Sequence, residues 1–485
     1  MILRHMFMGT TFFGLMSSVA LASPATPEEA ARLLGLFQTY LGAEPGVVAV
    51  EPTGESYTVT LDFAPFIAKA AAETFSGTVT PYVMTLTDNG DGTWATVVDQ
   101  PFAANIVAPG ISEFSYTIGS LKGTGIFDEA LSAFTTSRSD FTDIAISQTI
   151  TIEDTPPSNS VTSAAGGYYE STAVSGSAGG VDSKITYALT NYSQTMEIPG
   201  ATGAPSAEVI VNAESYGGDA TLTEFDPAAF YKLIAWFVAH PSEEAIKADQ
   251  AGLKAVLTEG MPFFQNMATT GGMTNATITT PVGVFTADQI GIDVEANGLV
   301  TDGLIREGIT LSGLEIPDGL APSWSTGLIP TDVGFDVAVS GFNAADPVAA
   351  IIAAFDLTKE VPIDPAVEGQ LMAAFMPNGT VDIKLAPGSI ASEMYTLTYE
   401  GAMTAGPAGV PVGTAKVTMT GMDAVLAALQ AAPPEVGGQL VPMLGMAKGM
   451  AQPGVDGTLV WEIDASVPGT LLVNGADLSM MMGGQ

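Results

Sequence analysis

Three stretches in the second half of the chain alternate without a break, and this restricts the fold more than any other feature. Ile290, Ile292 and Val294 oppose Asp293 and Glu295; Val381, Ile383 and Leu385 oppose Asp382 and Lys384; Leu459, Trp461 and Ile463 oppose Glu462 and Asp464. Successive side chains on a strand point to opposite faces, so each stretch has one apolar and one charged face. Such strands belong in an antiparallel sheet with one side wet.

A junction of similar type recurs between strands. An apolar residue, a Ser/Thr, a Glu/Gly, a Phe/Met and an Asp/Asn are followed by a helical pattern: Leu222-Thr223-Glu224-Phe225-Asp226, Val339-Ser340-Gly341-Phe342-Asn343 and Met419-Thr420-Gly421-Met422-Asp423. Asp226, Asn343 (or Asp346) and Asp423 are the expected helix caps, with Pro227 and Pro347 suited to a first turn whose amides lack partners. Phe230, Leu233, Ile234, Phe237 and Val238 then recur at helical spacing, as do Val348, Ile351, Ile352 and Phe355, and Met422, Val425, Leu426 and Leu429. A second helix is expected in each unit, over 243–257, 365–375 and 437–450. The next strands are expected to open at Asn275-Ala276-Thr277, Asn378-Gly379-Thr380 and Asp456-Gly457-Thr458. The spacing between copies is too uneven for a solenoid or propeller. We therefore expect an α+β, β-rich fold, with long antiparallel curved sheets, helical pairs inserted between strands and divergent internal repeats in the C-terminal half.

The first half is read the same way. Residues 24–44 predict a helix capped by Thr26, residues 47–63 a period-two strand with Tyr57, Val59, Leu61 and Phe63 on one face, and 64–72 a short helix. A hairpin follows, with arms 78–87 and 93–98 around Asp88-Asn89-Gly90-Asp91-Gly92. Strands are expected at 114–118, 144–152 and 185–198, with the Gly/Ser/Ala-rich 163–180 a weak strand or flexible loop. The stretch 199–207, with two Pro and two Gly, is the candidate linker between an N-terminal β-rich domain (23–198) and a C-terminal α+β domain (208–485) holding three strand–helix–helix–strand units.

The chain opens like an exported protein. Arg4 and His5 precede a mostly apolar run, and Ala20-Leu21-Ala22 forms a small-x-small site, so residues 1–22 are expected to be a signal peptide cleaved after Ala22. The alternative, a retained anchor, fits less well because the apolar run is short for a span. No transmembrane segment is expected after cleavage. Cysteine is absent, which excludes disulfides, thiol catalysis, Cys-zinc and Fe–S sites and an acylated lipoprotein cysteine. A periplasmic location follows as the expectation.

Lys and Arg number 14 against 52 Asp and Glu, a net charge of −38 among 485 residues. That balance argues against nucleic acid and anionic headgroups, since each phosphate contact needs a local cation. With a mean hydropathy of +0.33, the negative charge keeps an apolar protein soluble.

Chemistry has few places to reside. His240 is the one histidine beyond the signal region, too few for a zinc site, and it stands where an imidazolium would meet a helix C-terminus. No nucleophile elbow, Walker loop or dinucleotide fingerprint is present. Asp88, Asn89 and Asp91 resemble a calcium loop but lack its register and distal Glu. No catalytic, cofactor-binding or metal-binding residue is assigned, and no cofactor is expected. Phe230, Tyr231, Trp236, Phe237, Met261, Phe263, Phe264 and Met267 form an aromatic and methionine-rich region suited to core packing or to lining a groove for a hydrophobe.

The exported start, the acidic Thr/Ser-rich β-structure and the ending Gly457-Thr-Leu-Val-Trp with Pro468-Gly-Thr-Leu-Leu-Val-Asn474-Gly475 resemble the periplasmic proteins grouped as domain of unknown function 2125 (DUF2125). The closing phrase is also similar to the C-terminus of YdgA-like and AsmA-like periplasmic proteins, which implies an extended β-groove and a link to envelope lipids. Those proteins usually retain an N-terminal anchor. We expect a non-enzymatic binding or carrier protein for a hydrophobic or lipid ligand of the cell envelope. The alternatives are a structural or interaction module without ligand, and a hydrolase using two carboxylates.

Overall fold

The computed structural model describes residues 24–69, 75–151, 156–200, 206–240, 242–363, 368–407 and 409–478. The expected signal peptide lies outside these. The chain is β-rich, 52% strand and 23% helix, and builds one long open antiparallel sheet.

Helix α1 (Pro27–Leu41) starts where local chemistry places it, with Glu29 N donating to Thr26 Oγ1 at 3.2 Å and Pro27 at the first position. The expected single strand over 47–63 is instead a hairpin of β1 (Val48–Thr53) and β2 (Ser56–Leu61), reversed at Gly54, whose φ of +67° suits glycine. Next come α2 (Ala64–Lys69), β3 (Ser76–Val79), β4 (Tyr82–Asp88) and β5 (Thr93–Ala108). The Asp88–Gly92 turn is as expected. The first arm breaks at Thr80-Pro81, and β3 and β4 both pair with β5.

Five long strands follow, β6 (Ser112–Asp128), β7 (Ala133–Ile150), β8 (Ser158–Ser175), β9 (Val181–Ile198) and β10 (Ala207–Phe225), of which β6, β7 and β9 exceed the spans expected of them. Of the Gly/Ser/Ala-rich stretch 163–180, residues 163–175 lie in β8, paired on both sides because backbone ladders on each flank need no apolar pattern, and 176–180 form the turn to β9. The candidate linker falls mostly on 201–205, outside the described residues, and the strands on either side of it pair with each other.

Helices α3 (Pro227–Ala239), α4 (Glu243–Ala248) and α5 (Gln250–Gly260) separate β10 from β11 (Asn266–Thr280). The expected helix over 243–257 is broken at Asp249, which caps α5 through Gly252 N at 3.0 Å. Then follow β12 (Gly283–Asn297), β13 (Gly303–Ser312) and β14 (Asp332–Phe342), with α6 (Ala345–Ala354) and α7 (Glu368–Phe375) before β15 (Val381–Ala391). After β16 (Thr396–Ala405) and β17 (Val412–Thr420) come α8 (Met422–Gln430), α9 (Pro434–Met450), β18 (Gln452–Pro453), β19 (Leu459–Asp464), β20 (Leu472–Val473) and β21 (Ala476–Asp477). Among the described residues, no helix is long and apolar enough to cross a membrane.

The junctions share a left-handed residue at their third position: Glu224 (φ 51°), Gly341 (φ 78°) and Gly421 (φ 78°). Two of the three expected caps hold. Asp226 Oδ1 accepts from Ala229 N at 2.9 Å, and Asn343 Oδ1 accepts from Asp346 N at 3.0 Å while its Nδ2 donates to Asp346 Oδ2. Asp423 is not a cap. Gly421 precedes α8 with no side-chain cap, and Asp423 lies in the first turn, bonded to Lys448 of α9. Nor does Asn275 open a strand, since β11 begins at Asn266 and Asn275 lies inside it.

Asn275 belongs to a line across the sheet. From β6 to the end of β13 the pairing ladders are interrupted, by one or two residues per strand, at a line through Gly119, Asp143, Ala165, Asn191, Glu214, Asn275, Asp288 and Gly313. Every second residue has positive φ: Asp143 (54°), Asn191 (51°), Asn275 (48°) and Gly313 (63°). Asn, Asp and Gly are the types that enter this region at least cost. In the row beside it, Ile118, Ile144, Ala164, Tyr192, Ala213, Ala276 and Ala287 are all buried, and those from Ile144 onward belong to no helix-covered cluster. An alanine on a flat sheet is poorly shielded by its own neighbours. A crease folding the sheet toward that side shields it.

Two substitutions test these local arguments. Asp226→Ala should cost about 1 kcal/mol in urea unfolding. Asn275→Gly should stay within about 0.5 kcal/mol of the parent, whereas Asn275→Val, β-branched and poorly tolerated at positive φ, should cost about 1–2 kcal/mol.

Candidate functional site

The apolar residues of successive strands fall in register on the side toward which the sheet folds. Ala296 pairs with Ile305, Ile305 with Val339, Val339 with Ile383 and Ile383 with Met403. The next row toward the crease is Val294, Glu307 and Val337, and in the row beyond it Ile292 pairs with Ile309 and Ile309 with Phe335. These strands do have the one-sided character expected of them, but their apolar face is open. Met267, Ile292, Ile305, Ile309, Phe335 and Met403 are 38–53% exposed. Six large apolar side chains on neighbouring strands make a clustered surface rather than scattered exposure, with the exposed Glu307 set between Ile305 and Ile309. On the opposite face charges pair with each other, as where Arg306 Nη2 meets Asp336 Oδ2 at 2.5 Å. The hydrogen bond to Asp336 raises the Arg306 pKa further.

Toward β2 the same face is covered. Leu33 of α1 packs with Val59, Leu86 and Trp94, and Tyr231 of α3 joins the cluster. Between these helices and the sheet lies an apolar cleft of about 240 Å³, lined by Phe37, Leu41, Leu61, Tyr82, Met84, Leu86, Phe127, Phe134 and Tyr231. A second hollow of about 180 Å³ shares Phe127, Phe134 and Tyr231 with it and extends to Val181, Ile185 and Phe225. The three shared rings stand between the two hollows. Burial pushes the Tyr82 hydroxyl pKa up.

The aromatic and methionine-rich region divides between the two expected roles. Trp236 is buried with Leu253, Ile352 and Phe355, and Met261 packs against them. Tyr231 lines the cleft, and Met267 stands on the open face. Phe230 and Phe237 are exposed. His240 stacks on Trp236 at 4.1 Å, with Nδ1 2.7 Å from Trp236 O and Nε2 3.3 Å from Asp249 Oδ2, so both ring nitrogens are engaged within the helical cluster.

At the Asp88–Gly92 turn the polar groups serve one another. Gly90 N donates to Asp88 Oδ1 at 2.7 Å and Thr93 N to Asp91 Oδ1 at 3.0 Å, and the Thr93 hydroxyl's hydrogen bond lowers the Asp91 pKa. Among the described residues no group of three or more His, Cys, Asp or Glu could hold a metal ion. The outer face carries a hollow of about 400 Å³ over Gly217, Gly272 and Gly291, flanked by Asp219 and Asp293. Asp219 is exposed and accepts from Thr186 Oγ1 at 2.6 Å. This hollow was not anticipated from the sequence. Its one advance signal is the pair of glycine doublets, Gly217-Gly218 and Gly271-Gly272, which lie opposite each other. A Cβ on Gly218 would collide with the Thr270 carbonyl, and the Tyr187 ring covers Gly271 instead.

A latch holds α1 over the cleft. Arg32 Nη1 and Nη2 donate to Glu129 at 2.7 and 2.6 Å, and the buried Trp94 indole donates to Glu129 Oε1 at 2.5 Å. The Arg32 hydrogen bond, with help from Trp94, holds the Glu129 pKa below its ordinary 4.5. A lowered carboxylate pKa means the contribution is complete above that ordinary value and is lost as pH falls through the folded value. Glu129→Gln should therefore cost about 1–2 kcal/mol at pH 7, allowing for the half-exposed Arg32. In urea melts the gap from the parent should narrow steadily as the pH drops below 4.5.

Compared with known proteins, the chain matches no family model, no curated protein and no solved structure.

Proposed function

We propose that this is an exported, non-enzymatic binding or carrier protein for an elongated hydrophobic ligand, periplasmic and akin to the DUF2125 proteins it resembles. The observation that carries the reading is the open apolar wall from Met267 to Met403, together with a helix-covered apolar cleft elsewhere on the same sheet. Ligand sites are concave and mostly apolar, and a soluble monomer rarely leaves so large an apolar surface unused. The crease supplies the concavity. The architecture is read as an N-terminal β-rich domain followed by an α+β domain of three divergent strand–helix–helix–strand units. The left-handed residue at the same place in each junction, Glu224, Gly341 and Gly421, supports a common origin.

Native mass spectrometry of protein purified from its own envelope tests the reading. A lipid-sized adduct that organic extraction removes is the expected result, and Ile309→Glu, on the open wall, should lose that adduct while keeping its thermal midpoint. Protein that is always empty, with nothing recovered on extraction, would overturn the carrier reading and favour an interaction module.

A further inference from the structure

Resting on that carrier reading, we infer that the cargo is an uncharged single-chain amphiphile whose hydrocarbon end lies in the cleft between α1, α3 and the sheet. The cleft, about 240 Å³, exceeds the roughly 150 Å³ of an apolar cavity that accepts benzene. It falls below the roughly 300–1,000 Å³ of pockets that enclose a whole drug-sized ligand. It fits a tail rather than a complete molecule, and the adjacent hollow beyond Phe127, Phe134 and Tyr231, lined by Ile185 and Phe225, gives the rest a place beside it. The polar atoms its lining side chains offer are the phenol hydroxyls of Tyr82 and Tyr231.

Charge settles the head. The cations on the covering elements are each engaged with carboxylates: Arg32 of α1 with Glu29 and Glu129, Lys69 of α2 with Glu44, and Lys232 of α3 with Glu259. On the flanking strands Lys122, Arg138 and Lys184 stand at the alternate positions of the register, on the outer face, where Lys122 meets Asp99 and Arg138 meets Asp140. An anionic headgroup arriving at a molecule of net charge −38 would meet, among the described residues of the covering elements, only cations already paired with carboxylates. An ester or hydroxyl head meets no such barrier.

The test is displacement of the neutral dye N-phenyl-1-naphthylamine from the mature protein, at pH 8 and low salt. Monoolein should displace it at a concentration about tenfold below that needed for oleate. Equal or better displacement by oleate would overturn the inference while leaving the carrier reading intact. Failure of the dye and of both lipids to bind would sink the carrier reading itself. Phe134→Glu places a charge between the two hollows at a partly exposed position and should weaken dye binding about tenfold, with the thermal midpoint retained. Should that variant not fold, Phe134→Ser serves, and unchanged binding in a folded variant would show that the tail lies elsewhere.

Discussion

The constraint on which the rest of the structure depends is the line of left-handed residues at Asp143, Asn191, Asn275 and Gly313. A sheet built from strands of up to 19 residues needs a means of turning a flat apolar face into a concave one. Placing Asn, Asp or Gly at one register position on alternate strands bends all the strands together while the ladders continue on both sides. The alanines at Ala164, Ala213, Ala276 and Ala287 are small enough to occupy the inner corner. Larger side chains on every strand of that row would wedge the crease open. The concavity, the burial of its corner and the exposure of its wall thus share one backbone cause.

Local features were readable in the sequence, and features that depend on register were not. Thr26 and Asp226 cap helices as expected because a cap involves three or four consecutive residues. The Asp88–Gly92 turn succeeded for the same reason. The alternation of Ile290, Ile292 and Val294 did mark a one-sided strand, but what covers a face is decided by residues far away in sequence. Asn275 was misread as a strand opening because Asn-Ala-Thr suits the start of a strand as well as a bend within one. Strand β8 was underestimated because serine, glycine and alanine carry no periodic signal, although its two neighbours supply all the ladder it requires. Asp423 was misassigned because Gly421 already turns the chain, leaving the carboxylate for Lys448.

The charge distribution follows the same division between faces only in part. The apolar wall carries Glu307 between Ile305 and Ile309, while on the outer face Arg138 pairs with Asp140 and Arg306 with Asp336. A net charge of −38 makes copies of the chain repel one another, which opposes contact between their open apolar surfaces. Helices cover this apolar face at both ends, α1 latched through Arg32, Glu129 and Trp94 at one and α8 with α9 over Met419 and Trp461 at the other.

The central claim is that the open wall and the cleft both bind hydrocarbon. The most direct measurement is photo-crosslinking with an uncharged long-chain probe carrying a diazirine in its tail, with the labelled residues mapped by mass spectrometry. The account predicts label on the peptides bearing Phe134 and Tyr231 and on those bearing Met267, Ile292, Ile309 and Phe335, with the outer-face positions Asp219 and Asp293 unlabelled. Label scattered equally over both faces, or confined to the outer hollow, would contradict it.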